Sequence, residues 1–191
     1  MRSGPDSFHS QGFGASAPWL DLVNSEHRNG FGRLTDHLDD TVWVRSFFRS
    51  WNFRFPPTTP APQKALRELR ALLRRLVEKA AAQRTLHRDD INPLNSWLKV
   101  PVFPRLVESQ NRLELSLQPV QFGWPSVLAK IVASFGGTLI QEHHGRLKIC
   151  ANHDCRWVFI DRTKGNIRRW CEDATCGNRA RVRRSRANHK K

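Results

Sequence analysis

CANHDCRWVFIDRTKGNIRRWCEDATC, residues 150–176, contains all four cysteines of the 191-residue chain. The cysteines form two pairs, Cys150 with Cys155 and Cys171 with Cys176, and fifteen residues separate the pairs. Each short loop can bring two thiolates to one ion, and four thiolates at tetrahedral corners are a common ligand set of structural zinc sites. The stretch therefore predicts a closed Zn²⁺ site that holds this part of the fold together.

Two disulfides are the alternative use of these cysteines. Residues 1–18 lack the apolar segment of a secretory signal, so we expect a cytoplasmic protein, in which paired cysteines bind metal more often than they oxidise. His153 lies inside the first loop and is expected to be a spectator, because four thiolates already complete the site. A site with four protein ligands leaves no position for water or substrate, so zinc catalysis is not predicted. Oxidation of zinc-bound thiolates as a redox switch stays open.

Positive charge is concentrated after the last cysteine. The chain carries 32 Lys and Arg against 17 Asp and Glu, a net charge of +15, and seven of its last thirteen residues are Lys or Arg. This density favours a polyanionic partner, nucleic acid first and an anionic membrane surface second. No apolar stretch approaches the ~20 residues of a transmembrane helix, so no membrane-spanning segment is predicted.

A helix is predicted over residues 177–189. Arg179, Arg183, Arg186 and Lys190 would share one face of this helix, with Arg181 and Arg184 on the next. Gly177 is expected to let the backbone approach the metal, with its amide pointing to a thiolate. The candidate nucleic-acid contacts are Asn178, Arg179, Arg181, Arg183, Arg184, Arg186 and Lys190.

Helical periodicity dominates residues 18–145. Apolar repeats predict helices near residues 19–24, 39–51, 60–83, 91–98 and 124–139, and Gly30 and Gly32 are expected to end the first of them. The third helix is expected to have Thr59 as N-cap and Pro60 at its first position, and its arginines are expected to be solvated. The arginines and lysine concerned are Arg67, Arg70, Arg74, Arg75 and Lys79.

Two hairpins are predicted in addition. Alternating apolar residues between 106 and 117 predict the first, which turns at Gln110 and Asn111. The second lies between the cysteine pairs, with its first strand at residues 156–160, its turn at 163–166 and its second strand at 167–170. The expected fold class is therefore mainly α (α+β). A flexible arm (1–17) and a helical domain with a small β-hairpin (18–145) precede a zinc-ribbon or treble-clef-like finger that ends in a basic helix (146–191).

Polar residues interrupt the first apolar run of the helical domain. Asp21 and Asn24 need partners if they are buried, and such residues more often brace a core than bind a ligand. A small-molecule effector pocket around Trp19, Asp21, Asn24 and Trp43 is the alternative.

The cysteine pattern, with Cys176-Gly177-Asn178-Arg179 at its end, closely resembles the CGNR zinc-finger family. Upstream, Leu20-Asp21-Leu22-Val23-Asn24-Ser25 is similar to the Leu-Asp-Phe-Val-Asn-Thr opening of the ABATE domain that is usually attached to this finger. Together the two resemblances cover residues 18–188. They imply a bacterial, zinc-containing transcription regulator of the stress-induced type, with zinc on the four cysteines and the signature on Gly177, Asn178 and Arg179.

The expected function is thus DNA binding in transcription regulation, and an enzyme is the least expected class. RNA binding by the same finger is one alternative, which exposed rings of Trp157 or Trp170 would favour. A small-ligand sensor whose finger is a structural or protein-docking module is the other. Because one finger reads a single groove with modest specificity, a homodimer is also considered.

Overall fold

Six α-helices and three two-stranded antiparallel sheets make up the described part of the chain. The computed structural model describes residues 17–28, 33–53, 61–109, 111–142 and 144–189. The helices are α1 (Pro18–Asn24), α2 (Thr41–Ser50), α3 (Gln63–Ala81), α4 (Arg88–Trp97), α5 (Trp124–Gln141) and α6 (Asn178–Asn188). The sheets pair β1 (Glu26–Arg28) with β2 (Leu34–Asp36), β3 (Val102–Ser109) with β4 (Arg112–Pro119), and β5 (Leu147–Ile149) with β6 (Val158–Ile160). Within these ranges no helix is both long and apolar enough to cross a bilayer.

The predicted fold class is confirmed, and α3 lies at the centre of the helical part. Its apolar stripe is fully buried, because the side chains recur on one face that packs against α1, α5 and β5. Its first residue is Gln63, later than predicted, and Thr59 and Pro60 lie outside the described residues. The stripe consists of Leu66, Leu69, Leu73, Leu76, Val77 and Ala80.

The first predicted hairpin is confirmed as β3–β4. Leu106 pairs with Leu115 near its middle, and the strands run farther toward the base than the alternation predicted. Asn111 has a φ of 61°, the left-handed conformation that a tight turn requires and that asparagine tolerates well. Gln110, the other predicted turn residue, lies outside the described residues.

The β1–β2 hairpin was not predicted. The expectation that Gly30 and Gly32 end the first helix was wrong, because α1 already ends at Asn24 and the chain enters β1 at Glu26. Strands of three residues are too short to show an alternation of apolar and polar positions. Gly30 and Gly32 themselves lie outside the described residues.

The prediction of the second hairpin was wrong in the pairing of its strands, because it paired residues 156–160 with residues 167–170. β6 pairs backward with β5, and the Cys150–Cys155 loop connects the two strands. The expected return strand does not form, because the buried Asp161 carboxylate holds the following loop. It accepts hydrogen bonds from Lys148 Nζ at 2.7 Å and from the backbone amides of Thr163 and Arg168 at 3.0 and 2.8 Å. Burial alone would raise the pKa of Asp161, but these donors outweigh it and hold the pKa well below its usual range.

One hydrophobic core extends across the predicted boundary between residues 145 and 146. Leu147, Val158 and Ile160 of the β5–β6 hairpin belong to the same buried cluster as the α3 stripe. The cysteines form a second, smaller cluster beyond the hairpin. The hairpin therefore fixes the cysteine loops to the helical domain by apolar packing.

Most of the basic residues expected to be solvated on α3 pair within the protein, which corrects the expectation for that face: Arg67 with Asp39 and Lys79 with Asp90, besides Arg70 and Arg74. Arg70 is only 6% exposed, and it donates to both carboxylate oxygens of Asp36 at 2.6 and 2.7 Å and to Ser25 Oγ at 2.9 Å. Arg74 donates to the carbonyl oxygens of Val23 at 2.8 Å and Arg156 at 3.1 Å. Both guanidinium groups thus connect α3 to neighbouring elements, and Arg74 reaches the cysteine loop.

Candidate zinc site and nucleic-acid interface

The first cysteine pair sits in a tight turn between β5 and β6. The backbone amide of Cys150 donates to the carbonyl of Trp157 at 2.8 Å, which closes the base of the turn. At its tip the amide of Cys155 donates to the carbonyl of Asn152 at 2.8 Å. Arg156 then takes a left-handed φ of 57°, which lets the chain turn directly into β6. The loop thereby brings both thiols to the same side of the hairpin.

The second cysteine pair is placed by contacts on either side of it. The amide of Ala151, in the first loop, donates to the carbonyl of Arg169 at 2.9 Å. The guanidinium of Arg168 donates to the carbonyl of Trp170 at 2.9 Å and to that of Cys171. Cys176 then lies in a π-helical turn, Asp173–Gly177, that leads straight into α6. This turn fixes the start of the basic helix relative to the fourth sulfur.

The four sulfur atoms converge on one point. All of them lie within 4.8 Å of one another, and the Cys171 sulfur is 3.6 Å from that of Cys155 and 3.7 Å from that of Cys176. Four sulfurs each ~2.3 Å from a tetrahedral zinc ion are ~3.8 Å apart, whereas a disulfide requires ~2.05 Å. The donor set and its spacing therefore suit Zn²⁺, and all four cysteines are free thiols in the structure.

The thiols perturb one another strongly because they are so close. Hydrogen bonds from Cys155 and Cys171 lower the pKa of Cys150 to about 2. The hydrogen bond to Cys150 raises the pKa of Cys155 to about 12, and the pKa of Cys171 is raised for the same reason. A bound divalent cation would favour the deprotonated form of all four thiols by its charge.

Asn152 was not singled out in the sequence, yet it braces the sulfur cluster. Its side chain is buried, and Nδ2 lies 3.6 Å from the Cys176 sulfur, to which it donates. Its Oδ1 accepts from the amide of Asp154 at 3.3 Å, which orients the side chain. Nothing but its position between two ligands distinguishes Asn152 in the sequence, and many loop residues share such a position.

Trp157 and Trp170 both pack on the sulfur cluster and are half-buried. The ring of Trp157 also meets the ring of His27 edge-on, with centroids 5.2 Å apart. The guanidinium of Arg169 lies 5.5 Å from the centroid of Trp170. These rings cover the metal site and the junction with β1, and are therefore poorly placed for stacking on bases.

Gly177 has a different role from the one expected. Its amide donates to the carbonyl of Glu172 at 3.1 Å, not to a thiolate. A Cβ atom at this position would lie 2.3 Å from Asp173 Oδ1 and 3.1 Å from Trp170 Cδ1. A larger residue at this position would therefore displace the Asp173 carboxylate, which pairs with Arg181, and press on the ring of Trp170.

Helix α6 contains five arginines and no acidic residue, and none of its residues is buried. Two of the arginines form ion pairs with acidic residues of the cysteine loops. Arg181 pairs with both carboxylate oxygens of Asp173, at 3.0 and 3.1 Å, and Arg183 with Asp154 at 2.6 Å. Because one ion pair connects α6 to each cysteine loop, the two pairs fix the direction of α6 relative to the loops.

Four of the other predicted contact residues lie along the same helix. Asn178 is exposed and Arg179 half-buried. Arg184 and Arg186 are exposed, and they form no hydrogen bond or ion pair with any residue that the structure describes. Lys190 lies outside the described residues. The geometry thus separates the arginines that position α6 from those that remain available to a partner.

The four residues of the expected ligand pocket each have partners within the protein. Trp19 is fully buried and donates from Nε1 to Thr138 Oγ1 at 2.8 Å, and Trp43 stacks on Phe47 at 5.3 Å. Asp21 accepts from Trp51 Nε1 at 2.9 Å. These contacts favour the interpretation that the residues brace the core.

Asn24 docks the helical domain onto the finger. Its Nδ2 donates to the carbonyl of Val158 at 2.9 Å, and its Oδ1 accepts from the amide of Val158 at 2.8 Å. The side chain therefore pairs with β6 as a neighbouring strand would, in a buried position. This contact gives a structural reason for an asparagine in the Leu20–Ser25 motif.

Replacing Asn24 with alanine is expected to destabilise the protein by about 2–4 kcal/mol, because the buried amide and carbonyl of Val158 both lose their partner. Urea unfolding followed by circular dichroism measures this difference. Asn95→Ala, at an exposed position of α4, is the matched control. A cost for Asn24→Ala within about 0.5 kcal/mol of the control would refute the docking role.

Comparison with protein-family models gives two adjacent matches. Residues 16–139 match the ABATE model, described as "Putative stress-induced transcription regulator", and residues 146–189 match the CGNR zinc finger. No curated protein matches the chain. The two resemblances noted in the sequence are thereby confirmed. The chain belongs to the ABATE family and carries a CGNR zinc finger after its ABATE domain.

Proposed function

We propose that the protein is a DNA-binding transcription regulator in which one zinc ion holds α6 as the element that contacts DNA. Cys150, Cys155, Cys171 and Cys176 would supply the ligands, and the ion would act as a crosslink between the two cysteine loops. The observation that carries the proposal is the attachment of α6. An exposed helix without acidic residues begins directly after the fourth sulfur, and ion pairs bind it to both loops.

The exposed guanidinium groups indicate how DNA would be held. Arg184 and Arg186 would contact phosphates, which dominate the affinity of most such proteins. Arg181 and Arg183 would keep α6 in position through Asp173 and Asp154. Asn178 and Arg179 would extend the contact surface at the start of the helix, and Lys190 remains a further predicted contact. The family description names a transcription regulator, which is a non-enzymatic role.

Duplex DNA fits the finger better than single-stranded RNA does. RNA recognition by such modules relies on aromatic rings that stack on unpaired bases. Trp157 and Trp170 instead pack on the sulfur cluster and are half-buried. The finger therefore offers a basic helix without an exposed stacking platform.

The double variant Arg184→Ala/Arg186→Ala is expected to lose most of its affinity for duplex DNA. Each phosphate contact contributes ~0.9 to the slope of log affinity against log salt concentration, so the slope should fall by ~1.8. Fluorescence anisotropy of a labelled duplex across a salt series, with the zinc-loaded chain, measures both quantities.

The control for this measurement is Arg45→Ala/Arg49→Ala, two exposed arginines of α2, which removes the same charge from a different helix. It should leave the slope nearly unchanged. Equal slopes for the two double variants would show that general charge accounts for binding. A single-stranded RNA of equal length that binds more tightly than the duplex would replace DNA with RNA as the partner.

A further inference from the structure

The β3–β4 hairpin has one apolar face that is open to solvent. Residues paired across the strands share a face, and alternate pairs point to the same side. The leucine face defined here consists of Val102, Pro104, Leu106, Leu113, Leu115 and Leu117. Glu108, which pairs with Leu113, lies at the tip end of the same side. The opposite face carries mainly polar residues, Arg105, Arg112, Glu114, Ser116 and Gln118, together with Phe103 and Val107.

The leucine face is exposed to an unusual degree. Leu106, Leu113, Leu115 and Leu117 are 66, 77, 69 and 63% exposed. Within the described part of the two strands, only Pro119 at the base is buried, so the hairpin extends from the body of the protein. Contiguous apolar patches above a few hundred Å² are rare on monomeric proteins and mark interaction sites.

We propose that the leucine face is a homodimer interface, on which the hairpin of a second copy packs face to face. The patch offers on the order of 600 Å² of apolar surface, so two copies would bury ~1,200 Å², the lower end of the range for specific interfaces. A row of leucines is self-complementary under a two-fold axis, because identical side chains can interdigitate across it.

Charge also favours a second copy as the occupant. The protein carries a net charge of +15, so most of its surface would repel another copy. Glu108 at the tip is the one charged residue that the register places on this side, and the leucines toward the base are uncharged. Such a face offers nothing to phosphates, and it lets two basic chains meet where their repulsion is weakest. A dimer would present two basic helices, but its formation does not depend on DNA binding.

Sedimentation equilibrium of the full zinc-loaded chain, without DNA, tests the proposal. The wild type should show about twice the 22.1 kDa of one chain. Leu115→Glu, at the centre of the leucine face, should weaken association at least about 100-fold because it buries two like charges in the dimer. Leu117→Glu should act in the same direction.

Ile140→Glu is the control, since Ile140 on α5 is 86% exposed and the substitution changes the charge equally. It should remain a dimer, and circular dichroism should show equal helix content in all variants. A wild type that stays monomeric at submillimolar concentration overturns the proposal, as does a Leu115→Glu variant that associates as tightly as Ile140→Glu. Binding of a monomeric wild type to phosphatidylcholine vesicles, lost in Leu115→Glu, would assign the face to a lipid surface instead.

Discussion

Replacing Cys176 with serine is expected to abolish zinc binding and to unfold the finger. A serine hydroxyl is a poor substitute for a thiolate, and zinc-finger modules obtain about 10–16 kcal/mol of folding free energy from the metal. Residues 150–189 have little core of their own, because the described part of α6 buries no side chain. Zinc content by atomic emission, measured under reducing conditions, should fall from about one ion per chain to none.

The loss should extend into the helical domain. The β5–β6 hairpin that carries the first cysteine pair contributes Leu147, Val158 and Ile160 to the common core. Each buried aliphatic side chain stabilises by about 1.5–3 kcal/mol, so disorder of the hairpin would cost the helical domain about 5–9 kcal/mol as an upper estimate. Thermal unfolding of the helical signal should therefore shift to lower temperature in Cys176→Ser and in the chelator-treated wild type alike.

His153→Ala is the matched control for the cysteine substitution. His153 lies in the first cysteine loop with its side chain 81% exposed, and it contacts Asp154 at 3.3 Å. The variant should retain one zinc ion and the wild-type unfolding temperature. Zinc loss in His153→Ala, or full retention of zinc in Cys176→Ser, would contradict the assignment of four sulfur ligands.

The sequence predicted the parts of this protein that depend on local spacing. The α3 stripe repeats at helical intervals, so its burial could be foreseen from Leu66 to Ala80. The cysteine pairs are close in sequence, and a shared metal follows from ligand chemistry. Neither inference needs to know which distant segments meet.

Features that depend on long-range partners could not be foreseen. The apolar strand Val158–Ile160 could pair with the preceding strand β5 or with the segment that follows it. The buried Asp161 carboxylate holds the following segment as a loop, so the strand pairs with β5. Asn24 meets Val158 across 134 positions of the chain, a separation that no local pattern encodes. Such long-range contacts depend on how the elements pack, and a single sequence does not reveal that packing.

The arginines show the same limit. Charge density predicted a basic surface on α3 and α6, but a count of arginines does not separate those that bind carboxylates of the protein from those left for a partner. On α6, Arg181 and Arg183 form internal pairs while Arg184 and Arg186 remain exposed. On α3, Arg70 is buried whereas Arg75, five positions later, is exposed.

Replacing Arg70 with methionine is expected to destabilise the protein by about 3–5 kcal/mol. Methionine keeps the apolar stem of the side chain but leaves the Asp36 carboxylate without its two closest donors. Burial alone would raise the pKa of Asp36, but the hydrogen bonds from Arg70 and from the Leu38 amide, together with the charges of Arg70 and Arg67, hold the pKa below its usual value. Glu26, at 3.3 Å from the same guanidinium, also loses its partner. Urea unfolding at neutral pH measures the change in free energy.

Arg75→Met tests whether loss of charge on α3 is enough to explain the effect. Arg75 is exposed on the same helix, so this substitution should cost less than about 0.5 kcal/mol. Asp36→Asn in the Arg70→Met background completes a double-mutant cycle, and it should recover part of the loss because an uncharged amide is cheaper to bury than an unpaired carboxylate. Additive costs for the two substitutions, or an Arg70→Met variant as stable as Arg75→Met, would show that the buried pair does not hold α3 against the β1–β2 hairpin.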